Sequence, residues 1–349
     1  MRVLQVMAGK GNGGAELYAT DIMLSLHDAG VTQCVVMRPG APRAAELVQA
    51  GLTMAPDVLR GAFRPGQRRR MRALIDAWRP DIIHCWMRRA ASLVPVGAQA
   101  QVIGWFGDYE EMRHFSQCTR FIGVTQDLVD HAVRHKAALG DAFYVPTFSS
   151  VDDEPALNRA VLETPAGARV LLTLSRLHHT KGLDTLIKTL PELPDCWLWV
   201  AGDGPELGAL RRLAAGLGVL GRVRFLGWRT DRGALLRAAD ICLLPSRYEP
   251  FGTVILDAWA AGVAFIACAS AGPAAYIRDG ETGVLVAADD VAGLHSAIRR
   301  VLDDDGLRER LARAGAAAYQ AGFTKAAVTA RMIDVYREVC GDVGTGDGR

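Results

Sequence analysis

The sequence predicts an α/β protein built from two doubly wound, Rossmann-like parallel-sheet domains, and three observations predict it. Short apolar runs alternate with longer amphipathic segments from end to end, the runs fall into two sets, and a stretch without periodicity lies between the sets. The first set places strands at 2–8, 32–37, 81–86, 101–106, 120–124 and 142–145. The second places them at 169–175, 196–201, 222–227, 240–244, 263–267 and 283–286. Strand, helix, strand in that rhythm means βαβ units and parallel sheets. Domains are expected over 1–148 and 169–323, joined by a linker at 149–168 in a stretch that carries Pro146, Pro155 and Pro165 with several acids. Beyond residue 288 the pattern is wholly helical. Its last segment repeats Val328, Met332, Val335, Tyr336 and Val339 at helical spacing, a stripe that needs a partner surface. The tail 341–349, rich in Gly and Asp, is expected to be disordered.

At 349 residues and 50% apolar, the chain can bury two cores, and its net charge of +2 excludes nothing. The 7 cysteines form no CxxC and sit mostly in strand-like runs, as buried reduced thiols of a cytoplasmic protein would. The first strand is read from Arg2 on, and no signal peptide is expected. Residues 258–277 are uncharged for the length of a bilayer span, but Gly262, Gly272 and Pro273 break them into helix end, strand and loop.

The chemistry concentrates in the second half. Glu249-Pro250-Phe251-Gly252-Thr253 follows the apolar strand Ile241–Leu244 and runs into a helix carrying Asp257, so two carboxylates stand at or near a strand's carboxyl end. That is where open α/β sheets bind ligands. Ser175-Arg176-Leu177 ends another strand, and Lys181-Gly182 opens the next helix, which brings two cations to the same edge. Acids for hydroxyls and cations for phosphates point to a nucleotide sugar. Two cations and a helix N-terminus can stabilise a departing diphosphate without a metal. The pair His178-His179 and the run Asp303-Asp304-Asp305 lack the context of a metal site, and none is expected.

Glycine-rich turns follow other strands. Gly9, Gly11 and Gly14 satisfy GxGxxG after the first strand, with Arg38 where a dinucleotide fold needs an acid, so an NADP-dependent oxidoreductase stays open. The other reading is a flexible loop, with Gly13 and Gly14 approaching a ligand of the opposite domain. Gly202-Asp203-Gly204-Pro205 reads as a turn with Asp203 capping the next helix, and Trp228 as a wall of a base-binding slot.

These motifs together, from Gly13-Gly14-Ala15-Glu16 through Phe225-Leu226-Gly227 and Pro245-Ser246 to Asp257, resemble the large retaining glycosyltransferase family 4. The resemblance implies the GT-B architecture, two Rossmann-like domains facing a central cleft, with the helix 324–340 returning to the first. It gives Arg176 and Lys181 to the donor diphosphate, Glu249 to the hydroxyls of the transferred sugar, Phe251, Gly252 and Thr253 to sugar and phosphate, and the second acid to the ribose. Gly202, Gly204 and Trp228 join the donor side. The chain departs from the pattern twice. The second acid is Asp257, one methylene shorter than glutamate, which implies a slightly shifted nucleotide. The histidine many members carry after the fourth long strand is absent, and Gly107 or Asp108 takes its place. Asp108 reads equally as a group orienting the sugar or accepting a proton, and as an N-cap.

On the acceptor side the candidates are His84, as a cleft residue or a core histidine, Glu110, and a basic segment with Arg68 and Arg69. Residues 43–89 hold ten arginines against four acids. With Phe63, Met71 and Leu74 the segment reads as a helix that sits on anionic lipid or as an ordinary solvated one. The expected function is a metal-independent, retaining transfer of a sugar from a nucleotide-diphosphate donor, with UDP guessed, to a bacterial surface glycan or its lipid-linked precursor, such as lipopolysaccharide or capsule. The expected place is the cytoplasm, at most peripheral to the membrane, and no nucleic-acid partner is expected. The rivals are the NADP enzyme and a family member that binds nucleotide without turning it over.

Overall fold

A computed structural model describes residues 1–9, 13–38, 40–61, 64–138, 140–149, 151 and 153–341. The chain divides into two compact units, Met1–Phe148 with Lys325–Arg349, and Ser149–Thr324.

The first unit holds β1 (Arg2–Met7), β2 (Thr32–Val36), β3 (Thr53–Met54), β4 (Ile82–Trp86), β5 (Gln101–Phe106), β6 (Arg120–Gly123) and β7 (Ala142–Tyr144). They pair in the order β3-β2-β1-β4-β5-β6-β7, and every pairing is parallel. The second unit holds β8 (Arg169–Leu174), β9 (Cys196–Ala201), β10 (Val223–Gly227), β11 (Ile241–Leu244), β12 (Ala264–Cys268) and β13 (Val284–Val286). Their order is β10-β9-β8-β11-β12-β13, again all parallel. β4, β11 and β12 are buried at every position, as strands covered by helices on both faces must be. Each expected strand forms. The one the sequence reading missed is β3, two residues long and at a sheet edge, too short to show a period.

In the second unit the chain builds outward from β8 to β9 and β10, then returns to the other side of β8 with β11. The strand order therefore reverses between β8 and β11. There the crossover helices leave toward opposite faces and the carboxyl edge opens, the position where such sheets bind ligands.

The helix Lys325–Val339 belongs to the first unit. Its stripe is buried, with Val328, Met332 and Tyr336 fully so, and Ser25 Oγ lies 2.6 Å from Thr329 Oγ1 on the helix it packs against. Full burial of each large apolar side chain is worth about 1.5–3 kcal/mol, which is why the first unit, far away in sequence, recruits this segment. The stretch read as a linker packs on the second unit. Arg159 donates to the carbonyls of Ala238 and Ala168 and pairs with Asp240 at 3.1 Å, and Trp199 Nε1 donates to Thr164 Oγ1. Residues 342–349, the expected disordered tail, lie outside the described residues.

The uncharged run 258–277 becomes the end of the helix Thr253–Ala260, then β12, then a short helix Ala271–Tyr276 where a loop was expected. Among the described residues no helix is long and apolar enough to cross a membrane. The cysteines are unbridged, with all but Cys340 buried.

Candidate active site

The loops that leave β8 and β11 are tied to one another. The N–H groups of Arg247 and Tyr248 both donate to the carbonyl of Thr180, at 2.8 and 3.3 Å. Gly182 takes a positive φ of 62°, and a Cβ there would lie 2.0 Å from the carbonyl oxygen of Pro245, so only glycine lets the loops approach this closely. The consequence is a contact between side chains 68 residues apart. Lys181 Nζ donates to Glu249 Oε2 at 2.6 Å, with the two side chains 16% and 13% exposed.

Arg176 is exposed on the loop after β8 and makes no ion pair among the described residues. The loop itself is held from behind. Ser175 N–H donates to the Ala201 carbonyl, Leu177 N–H to that of Asp203, and Glu206 N–H to that of Leu177. A Cβ on Gly202 would meet Ser175 O at 1.9 Å, and one on Gly204 would meet Leu177 O at 2.3 Å. These two glycines, expected to touch the donor, are placed as spacers that let the Arg176 loop sit down on its neighbour. Asp203 does not cap a helix, because the helix begins at Leu207 and the Asp203 side chain accepts from the next residue's N–H, Gly204, at 2.7 Å.

Phe251 is buried with its ring 4.9 Å from that of Tyr276, and Gly252, at φ 89°, leads into the helix that starts at Thr253. That helix offers unpaired N–H groups at the edge where Lys181 stands. Gly272 supports the same loop. Its N–H donates to the Glu249 carbonyl at 2.8 Å, and a Cβ would lie 2.3 Å from Phe251 O. The sequence reading took Gly272 for a breaker only. A glycine four residues past the end of a neighbouring strand, β12, was the available signal.

The hydroxyls of Ser175, Ser246 and Ser270 are buried and without a partner among the described residues. They follow β8, β11 and β12, three adjacent strands, at the carboxyl edge. Trp228 follows β10 and is 64% exposed, an uncommon place for an indole.

Asp257, expected at the ribose, lies on the helix Thr253–Ala260 with its side chain turned inside the unit. The carboxylate is fully buried, and both oxygens are engaged: Oδ1 accepts from Ser149 Oγ at 2.7 Å and Oδ2 from Arg232 Nη1 at 2.7 Å. Burial pushes its pKa up, against the pull of Arg232 and Ser149. The side chain, one methylene shorter than glutamate, is held inside the unit by these two contacts.

His84 is a core residue, not an acceptor-side one. It is fully buried, stacked on Trp86 at 4.3 Å, and its Nδ1 lies 2.5 Å from Tyr336 OH. Burial pushes its pKa down to about 3, so the ring is neutral. Asp108 is exposed after β5. It is no N-cap, since the next helical turn, Met112–Phe115, has Glu111 at its start, while Asp108 Oδ1 accepts from Tyr109 N–H. Glu110 lies 3.6 Å from Arg88, and burial raises its pKa. In the basic helix Arg64–Trp78, Arg68 donates twice to the Ser92 carbonyl, Arg70 to those of Val58 and Arg60, and Arg72 to that of Val96. These arginines close loops, and only Arg64 and Arg69 have no side-chain partner among the described residues. Gly13 precedes the helix Gly14–Asp28 in extended conformation, whereas Gly11 of the GxGxxG pattern lies outside the described residues. Arg38 makes one long contact, 3.4 Å to the Ala8 carbonyl.

Among the described residues no group of three or more His, Cys, Asp or Glu is placed to hold a metal. In the acidic run, Asp303 pairs with Arg299, Asp304 caps the helix Asp305–Gly322, and Asp305 pairs with Arg308.

The pattern described as Glycosyl transferases group 1 matches residues 156–318, and that of Glycosyltransferase Family 4 matches 12–146. The chain is 33% identical over 339 residues to the lipopolysaccharide core biosynthesis glycosyltransferase LpsD of Rhizobium meliloti, covering 96% of this chain and 98% of that protein. It is 32% identical to LpsE of the same organism, named for the same process, over 94% of this chain and 97% of that one. Among solved structures, Anabaena HepE in complex with UDP and glucose superposes with a TM-score of 0.81 at 21% identity, over 97% of this chain and all of the other, a likeness of fold. The oxidoreductase reading of the glycine loop has no counterpart among these proteins.

Proposed function

Since the chain belongs to the group 1 glycosyltransferases of the GT-B fold, we propose that it moves a sugar from a nucleoside-diphosphate donor to a lipopolysaccharide core or its lipid-linked precursor. We propose further that it does so with retention and without a metal. The observation that carries the donor half is the Lys181–Glu249 contact at the strand-order reversal, flanked by exposed Arg176 and by three buried hydroxyls that have no partner among the described residues. A diphosphate brings acceptor oxygens and about two negative charges, and these groups are the donors and cations that receive them. One cation about 4 Å from a unit charge is worth up to roughly 4 kcal/mol at an effective dielectric near 20.

In the transfer, the bond between the anomeric carbon and the diphosphate oxygen breaks and its electron pair leaves with the diphosphate. Arg176, Lys181 and the helix N-terminus at Thr253 stabilise that growing charge. Glu249 holds the sugar hydroxyls as the acceptor hydroxyl bonds to the anomeric carbon and gives up its proton. Asp108, exposed in the first unit, is the carboxylate proposed to orient the sugar or take that proton. UDP as donor nucleotide draws on the UDP bound by HepE, and the acceptor class on the names of LpsD and LpsE. Retention comes from family membership.

A panel of nucleotide sugars incubated with truncated lipopolysaccharide core and chelator tests this. Transfer from one donor with an unchanged anomeric configuration by NMR supports every part. Inversion, or activity only when a divalent ion is restored, overturns the corresponding part.

A further inference from the structure

Asp257 is buried and its partner Arg232 is not. Asp257 sits one helical turn after Thr253, on the face of the helix whose start stands at the reversal point, and it has no exposed surface. Arg232 opens the helix Arg232–Ala238, in the loop after β10 and four residues beyond the exposed Trp228. Its side chain is 35% exposed. Among the described residues its one side-chain hydrogen bond is to Asp257, so most of its five N–H donors point elsewhere. A guanidinium fixed by a buried carboxylate at one corner is a rigid, half-exposed donor fork.

We propose that Arg232 is a specificity-determining residue of the donor site, recognising acceptor oxygens of the nucleoside, and that Asp257 is the positioning residue that aims it. This rests on the donor-site reading above and changes its chemistry. A carboxylate accepts hydrogen bonds from a diol, whereas a guanidinium donates to oxygen. Because Asp257 already balances its charge, Arg232 suits neutral oxygens, a ribose hydroxyl or a base carbonyl, and leaves the diphosphate to Arg176 and Lys181. Trp228 in the same loop supplies an exposed ring for the base to stack on. Ser149 fixes the other carboxylate oxygen and so sets the angle of the fork.

Calorimetry with UDP, GDP, ADP, 2′-deoxy-UDP and inorganic pyrophosphate tests the assignment on the whole chain. The double variant Arg232→Ala, Asp257→Asn removes the fork without leaving a buried charge unpaired. Its expected effect is a loss of about tenfold or more for the best nucleoside diphosphate, the scale of one charged hydrogen bond, with pyrophosphate binding unchanged. If the variant also stops discriminating UDP from 2′-deoxy-UDP, the oxygen is on the ribose. If it stops discriminating between bases, the oxygen is on the base. Arg232→Lys keeps the charge beside Asp257 and serves as the second variant if the double variant fails to fold. It should lose nucleoside affinity alone, as a point charge replaces the fork. Unchanged nucleoside affinity in a folded variant overturns the role of Arg232 and leaves the donor site standing. Absence of nucleoside-diphosphate binding in the wild type overturns the donor site itself.

Discussion

Lys181 and Glu249 meet at 2.6 Å, so the cation proposed for the diphosphate and the carboxylate proposed for the sugar neutralise each other when no donor stands between them. Their substitutions should therefore have opposite effects on nucleotide binding. Lys181→Ala should weaken nucleoside-diphosphate binding and lower turnover on the order of 10² to 10³. Glu249→Gln frees the lysine, so it should bind UDP at least as tightly as wild type while turnover falls. Calorimetry and single-turnover rates on both variants check the pair, and equal losses of binding in both would refute it.

The pair of buried Asp257 and half-exposed Arg232 predicts an asymmetry in stability. Arg232→Ala leaves the Asp257 carboxylate buried without its cation, which costs about 3–5 kcal/mol in a fully buried pair and less here, because Arg232 is 35% exposed and partly screened by solvent. Asp257→Asn leaves Arg232 partly in water and removes the buried charge, and should cost well under that. Urea unfolding of the two variants measures the difference. A larger loss for Asp257→Asn would mean the carboxylate is not the costly partner.

His84 should make the fold acid-sensitive. Its ordinary pKa of 6.5 falls to about 3 in the folded chain, so below about pH 6.5 the unfolded chain binds a proton that the folded one does not. Stability contributed by neutral His84 is therefore complete above pH 6.5 and is lost as pH falls toward 3, at up to about 1.4 kcal/mol per pH unit. His84→Phe should flatten the difference in stability between pH 7 and pH 4 relative to wild type. An unaltered slope would show that His84 does not titrate this way.

Gly202 and Gly272 carry no side chain and are predicted to matter for support of the site. A Cβ on Gly202 or Gly272 would meet backbone oxygen at 1.9 or 2.3 Å, so alanine must push the Arg176 loop or the Glu249 loop out of place. Each variant should lose donor binding by about tenfold or more, on the scale of one charged hydrogen bond, with melting lowered by a few degrees. Gly216→Ala, which meets nothing within 4 Å, is the control.

What the sequence made legible follows from the range of the physics. Strands such as Ile241–Leu244 and Cys196–Ala201 are apolar throughout because parallel sheets are covered on both faces, and that is visible in a few consecutive residues. The convergence of Lys181 and Glu249 was visible too, since the ends of βα units are fixed by topology. The fate of Asp257 was not, because it depends on Ser149 and Arg232, which are distant in sequence and which no local pattern links to it. His84 had the same difficulty: its partner Tyr336 is 252 residues away. Gly202 and Gly204 read as ligand glycines because a glycine needed for backbone packing and one needed for a phosphate look alike in one dimension.

Calorimetric titration of wild type and Lys181→Ala with UDP, GDP, ADP and NADPH, chelator present throughout, is the decisive measurement. Tight binding of one nucleoside diphosphate, lost in the variant, is the predicted result. Binding of NADPH alone, or nucleotide binding indifferent to Lys181, would contradict a donor site at the reversal of the second sheet.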